Sequence, residues 1–213
     1  MSKGCMGALG TLSYFAIAGC YRIVIALRAI DAMKYCSNCG APVTRKVPPG
    51  DSLPRYVCDA CNTIHYQNPR MVVGCIAEWE DRILLCRRGI EPRYGLWTVP
   101  AGYMENGETT IEGAIRETLE EAHARVEIGP LYALYNIPHI SQVYLLFRAR
   151  LRDPDIRAGA ETLEARLFVE REIPWDGIAF ATIRNTLTHY YSDRRQGEYK
   201  FHMGTIEPLP KKA

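Results

Sequence analysis

The sequence predicts an α/β fold, a sheet covered on its faces by helices, with a small cysteine-held ribbon at its front. Two observations carry that prediction. Between two groups of short apolar runs lies one amphipathic, acid-rich stretch at residues 102–124, and a second amphipathic stretch follows the last run. Ahead of them stand two Cys-x-x-Cys pairs, Cys36 with Cys39 and Cys58 with Cys61.

A chain of 213 residues accommodates one domain, or one domain plus a small module, and 47% apolar composition suits a sizeable core. The net charge of +2 calls for neither nucleic acid nor an anionic membrane. Residues 1–33 differ from the rest: they are apolar, nearly free of acids and interrupted by Arg22 and Arg28. They make neither a convincing export signal nor an uninterrupted membrane span. The expectation is that the protein proper starts at Met33 and that the upstream residues are an added extension.

Residues 34–67 form the ribbon. Eighteen residues separate the two cysteine pairs, which suits a zinc ribbon with four cysteine ligands. Four thiolates close a tetrahedral site and leave no open position, so the zinc would be structural. Two disulfides or a rubredoxin-like iron site would use the same four residues. Disulfides need export, for which the sequence shows no convincing signal, and a thioredoxin-type role needs a single pair at a helix start. His65 is expected to pack or hydrogen-bond beside a site already closed by four cysteines. Cys75 and Cys86 fall in apolar runs as buried thiols.

From Met71 the pattern is one of strands. Residues 71–79 and 82–88 read as a hairpin around Glu80-Asp81, residues 94–100 as a short strand, and residues 125–129, 131–137, 142–151 and 164–170 as further strands. Residues 152–162 read as a loop. Phe180, Ile183, Leu187 and Tyr190 mark the second helix, and residues 194–213 read as a tail, frayed from Glu207 on.

The first helix carries the chemistry. Thr109 and Glu112 make a capping box, and Ile111, Ala114, Ile115, Thr118, Leu119 and Ala122 recur at the spacing of one buried stripe. Glu117, Glu120 and Glu121 then crowd onto the other side at i, i+3 and i+4. Like charges that close call for a cation between them, and an all-oxygen cluster suits Mg²⁺ or Mn²⁺. Arg116 can hold Glu108 and Glu120 through its planar fork, and Gly102 and Gly107 bracket a loop that can approach a ligand closely.

Gly102, five residues, Glu108, seven residues, then Arg116-Glu117-x-x-Glu120-Glu121 resembles the signature of the Nudix hydrolases. His123 stands where that family usually has glycine, and Thr118 and Ala124 stand where it has larger aliphatics, which bears on the helix end rather than on the carboxylates. The resemblance implies an α/β/α sandwich with a mixed sheet over residues 68–193. It implies hydrolysis of a nucleoside diphosphate linked to another group, with Glu117, Glu120, Glu121 and the Gly102 carbonyl at Mg²⁺ or Mn²⁺ and with Arg116 and Glu108 organising helix and loop. Glu161 and Glu164 are the candidates for a general base from a later loop. Ribbon and box together look like a subgroup linked to ADP-ribose and FAD pyrophosphatases. NADH pyrophosphatases also carry a ribbon, but their S-Q-P-W-P-F-P-x-S motif is missing here. Tyr94, Trp97, Tyr103, His139 and Glu164 are the substrate-side candidates, the aromatic ones by stacking on a base or flavin. The expected partner is a dinucleotide-type small molecule in the cytoplasm, with no membrane and with a homodimer left open. Two other readings stand beside this: hydrolysis of nucleoside triphosphates, and a nucleotide- or nucleic-acid-binding regulator gripping through Arg45, Lys46 and Arg55.

Overall fold

The structure is a computed structural model and describes residues 33–208; the apolar extension, apart from Met33, and the last five residues lie outside that range. The ribbon is a three-stranded antiparallel sheet of β1 (Val43–Lys46), β2 (Arg55–Cys58) and β3 (Ile64–His65). Past it run β4 (Arg70–Trp79), β5 (Arg82–Arg88), β6 (Trp97–Thr98), β7 (Ala101–Tyr103), α1 (Thr110–Ala122), β8 (Val126–Ile137), β9 (Gln142–Leu151), β10 (Thr162–Phe168), α2 (Ala181–Gln196) and β11 (His202–Thr205).

The eight strands β4 to β11 make one mixed sheet in the order β10-β5-β4-β9-β8-β11, with β6 added to β5 and β7 to β4. Pairs β4–β9 and β8–β11 are parallel, and the remaining neighbours are antiparallel. Alternation along the central strands separates two cores. Val73, Cys75, Ala77, Leu84 and Cys86 meet Ala114 and Ala122 of α1 on one face. Ile76, Ile83, Leu85 and Leu146 meet Ile183, Leu187 and Tyr190 of α2 on the other. A two-sided sheet between helices is the sandwich expected, and it makes the near-continuous apolar runs of β4 and β5 intelligible.

Three expectations are corrected. The stripe on α1 is split: Ala114, Thr118 and Ala122 are buried, whereas Ile111, Ile115 and Leu119 are 46%, 38% and 47% exposed. The sheet takes the side of the helix lined by small residues, Gly113 and Ala114 among them, because these let the two backbones approach. That choice carries Glu117 inward with them, to 9% exposure. Residues 125–129 and 131–137 form not two strands but one, β8, whose register against β9 shifts between Ile128 and Leu131 and again by Ala133. Gly129 and Pro130 lie at the shift, where a proline without N–H costs the ladder least. Finally, the tail expected from residue 194 is structured up to Thr205. α2 runs to Gln196, Gly197 caps it at φ 72°, and β11 pairs with Ala133–Asn136 of β8. The boundary drawn at Asp193 thus falls inside a helix, and sheet-forming residues lie beyond it.

Candidate active site

In the ribbon the four cysteine sulfurs lie within 4.8 Å of one another. Sγ of Cys36 is 3.6 Å from that of Cys61, and Sγ of Cys39 is 3.4 Å from that of Cys58, far longer than an S–S bond. The Thr63 hydroxyl, 3.0 Å from Cys61 Sγ, and the Thr63 amide pull the Cys61 thiol down to about 5, whereas at Cys39 the Ala41 amide is outweighed by the Cys58 and Cys61 sulfurs, which push that thiol up to about 12. His65 Nε2 lies 3.3 Å from Cys36 Sγ, the hydrogen-bonding place expected of it outside a closed site. This donor set fits a structural zinc.

The acid-rich side of α1 is built differently. The capping box forms as read: Thr109 Oγ1 accepts from the Glu112 amide at 3.2 Å, and Glu112 accepts from the Thr109 amide at 2.8 Å. At the other end His123 adopts φ 49° and ψ 23°, and its amide donates to the Leu119 carbonyl. Histidine thus does in the left-handed region what the family assigns to glycine.

Between these ends Arg116 organises the acids. Nε and Nη2 grip Glu108 at 3.0 and 2.8 Å, Nη1 donates to both Glu117 at 2.8 Å and Glu120 at 3.0 Å, and Nη2 also reaches the Tyr103 carbonyl at 3.1 Å. The guanidinium holds the Glu108 carboxyl down at about 2. Burial pushes the Glu117 carboxyl up, with Arg116 opposing. Glu121 is pushed furthest, to about 8, by burial and by the neighbouring Glu117 carboxylate; the Ala101 amide and Arg88 oppose that rise, and Glu161 adds to it. One oxygen of Glu121, Oε2, is buried without any hydrogen-bond partner.

Gly102 lies on β7 against this group, and a Cβ there would overlap the Glu117 carboxylate. A buried carboxylate oxygen with no donor, a second inward carboxylate and a backbone kept bare beside them fit a hard divalent cation. Glu117, Glu121 and the Gly102 carbonyl are the residues that could hold it, with Glu120 at the rim, its side chain 58% exposed.

The other candidates are dispersed. Tyr103 follows Gly102; its hydroxyl accepts from Gln142 at 2.7 Å, and the Arg70 guanidinium lies 5.7 Å from its ring centroid. Trp97 packs edge-on against Phe168 at 4.9 Å and joins the core under α2. Tyr94, His139 and Glu164 are exposed, the last opposite Arg87 on β10. Glu161 sits at the mouth of β10, where its carbonyl accepts from the Gly89 amide at 2.7 Å. Sequence reasoning passed over Arg88 at the end of β5. It is half-buried, 5.2 Å from the Phe180 ring centroid, and its charge bears on both Glu121 and Tyr144. Among the described residues no carboxylate lies within 4.0 Å of it. Only its place as the last residue of a strand beside the box distinguishes it from Arg87, and that place becomes visible with the fold.

A mixed sheet between two helices, one of them carrying inward acids braced by a single arginine, defines a hydrolase domain of the kind that attacks pyrophosphate bonds. The chain belongs to the Nudix family: the NUDIX domain profile matches residues 68–189 and the Nudix N-terminal zinc-ribbon profile matches residues 34–67. A crystal structure of a NUDIX hydrolase from Nitrosomonas europaea is 58% identical, covers 83% of this chain and all of its own, and superposes with a TM-score of 0.81. An ADP-ribose pyrophosphatase from Methanocaldococcus jannaschii is 29% identical over 115 residues, covering 51% of this chain and 67% of the relative. The NAD-capped RNA hydrolase NudC of Salmonella schwarzengrund is 31% identical over 142 residues, 66% of this chain and 53% of the relative. The chain thus spans about half the length of that NudC relative. Among the described residues no helix is long and apolar enough to cross a membrane.

Proposed function

We propose that the protein hydrolyses the pyrophosphate bond of a nucleoside diphosphate linked to a second moiety, ADP-ribose or FAD first, releasing AMP and a phosphorylated second product. The observation that carries this reading is the buried, unpartnered Oε2 of Glu121 beside Glu117 and the bare backbone of Gly102. Mg²⁺ or Mn²⁺ bound there would neutralise diphosphate charge and acidify a water, while Zn²⁺ in the ribbon is structural. Arg116 and Glu108 lock the loop to the helix, so the carboxylates face the diphosphate without reorganisation. Arg88 presents a positive charge to the same oxygens. Glu161, whose charge bears on Glu121, takes the proton of the attacking water; the new P–O bond forms as the bond to the bridging oxygen breaks, and that oxygen leaves on the second phosphate. Tyr103 forms a wall of the site.

The names of the NudC relatives favour a second reading, in which a nicotinamide dinucleotide is the substrate. One experiment separates them: a panel of ADP-ribose, FAD, NADH, diadenosine polyphosphates and nucleoside triphosphates with Mg²⁺, with every product identified. AMP plus a second monophosphate from ADP-ribose or FAD is the expected result. Preference for NADH supports the second reading, pyrophosphate release from triphosphates replaces both, and no turnover at all, with tight RNA binding at high salt, favours a binding protein.

A further inference from the structure

The loop between β9 and β10 does something its composition does not announce. Its Arg157 amide donates to the Ala122 carbonyl at 2.8 Å, and its Gly159 amide donates to the Glu121 carbonyl at 2.9 Å. These are carbonyls of the last turn of α1, which a helix leaves unpaired. With His123 serving the Leu119 carbonyl, the loop completes the end of the catalytic helix. Gly159 is so close that a Cβ on it would overlap the Glu120 carbonyl oxygen. The obstacle is backbone in the middle of a helical turn, so it cannot swing aside as a side chain would.

Two residues further on, Glu161 is tied from the other side. Its carbonyl accepts from the Gly89 amide at 2.7 Å, a Cβ on Gly89 would lie 3.0 Å from that carbonyl, and the next residue, Thr162, pairs with Arg88. The Thr162 amide closes the turn onto the Gly159 carbonyl at 3.1 Å. Glu161 is thereby stretched between the C-terminal turn of α1 and the end of β5, and its position relative to Glu121 depends on how closely the loop can seat.

We propose that Gly159 is a positioning residue for the reaction: by letting the loop dock on the last turn of α1 it fixes the distance between Glu161 and the helix carboxylates. It touches no substrate. Its absent side chain sets where Glu161 stands. The proposal rests on the hydrolase reading above.

The test is Gly159→Ala in the full chain, assayed on whichever dinucleotide the panel identifies. The expected result is a fall in kcat of about 30- to 100-fold with KM within about threefold, since the diphosphate-facing residues of α1 and β7 stay in place. Amide hydrogen exchange should show residues 157–162 losing protection while α1 and β4 keep theirs. In a Glu161→Gln background the same change should cost kcat less than twofold further, because the group it positions is gone. A full multiplicative loss in the double variant, or kcat unchanged in Gly159→Ala, overturns the proposal while leaving the hydrolase reading intact. If Gly159→Ala fails to fold, Gly89→Ala moves the same carboxylate from the β5 side without touching the helix. Its kcat loss should likewise vanish in the Glu161→Gln background, and persistence there counts against the idea. A wild-type protein inert toward every dinucleotide sinks the hydrolase reading and this proposal with it.

Discussion

The ribbon and α1 each gather anionic ligands, and they do so in opposite ways. Four sulfurs converge within 4.8 Å on a centre of their own, so one cation completes the group and nothing remains to be filled. The glutamates of α1 do not converge so tightly. Arg116 stands among Glu108, Glu117 and Glu120 as a resident cation, and Oε2 of Glu121 is left over, buried and lacking a donor. A closed set of soft ligands holds structure together. An unfinished set of hard ligands leaves room for a cation and a substrate, which is what the proposed hydrolysis requires.

The sharpest way to break this contrast is to neutralise the unfinished side. Glu121→Gln, or Glu120→Gln, should leave the fold intact and lower Mg²⁺-dependent hydrolysis at least about a thousandfold, roughly 4 kcal/mol of barrier; undiminished turnover in the double variant would falsify the assignment. Glu121 also fixes a sign. Its carboxyl ordinarily titrates at 4.5 and is held at about 8 in the fold, so between those values the folded protein keeps a proton the unfolded chain has lost. Without divalent metal, stability should therefore fall as pH rises from about 4.5 to about 8 and level off above. The fall is bounded by roughly 5 kcal/mol at 1.36 kcal/mol per pH unit and is reduced by partial solvent access. Thermal melts across that window should show the slope in EDTA, and either Mg²⁺ or Glu121→Gln should flatten it. A metal-free protein with a flat profile would mean that Glu121 is not strained as its burial implies.

The closed side predicts the reverse. Metal analysis should return about one zinc per chain, and stripping it should unfold residues 34–67, since folding and binding are one event in such modules and the bound metal is worth about 10 kcal/mol or more. Among the described residues no hydrogen bond or ion pair joins the ribbon to the sheet domain. Limited proteolysis after chelation should therefore clip the ribbon and spare residues 70–205. Loss of both together would mean that the two regions stabilise each other.

The same contrast explains what could be read in advance. Candidate metal sites announce themselves because their chemistry demands residue types at set offsets; Cys36, Cys39, Cys58 and Cys61 do so, and so do the box glutamates with the Arg116–Glu108 pair that braces them. The acids of α1 were legible as a group, but the side of the helix they occupy was not. Its apolar residues lie on both flanks, and only the small ones, Ala114, Thr118 and Ala122, let the sheet in. β11 gave no signal, since a four-residue strand reading His-Met-Gly-Thr has no apolar run and takes its place from pairing with β8. Arg88, Glu161 and Gly159 were illegible as a set for a related reason. Their relation to Glu121 exists only when β5 and the loop after β9 are brought to the same end of α1.

The smallest effect tests the helix end, where this chain departs from its family. His123 is exposed and left-handed, a conformation costing a residue with a Cβ roughly 1 kcal/mol or more, histidine somewhat less than most. Its amide still closes onto Leu119, so the hydrogen bond does not depend on the side chain. His123→Gly should keep the cap, relieve the backbone and lose some of that gain to the greater freedom of glycine in the unfolded chain. A net stabilisation of about 0.5 kcal/mol, a rise of about 1–2 °C in the melt of the sheet domain, is expected. Catalysis should not change, because the carbonyls of Glu121 and Ala122 are held by Gly159 and Arg157 rather than by the cap. A loss of stability would mean that the imidazole contributes something beyond its backbone, and a loss of activity would mean that the cap, not the loop, sets the catalytic turn.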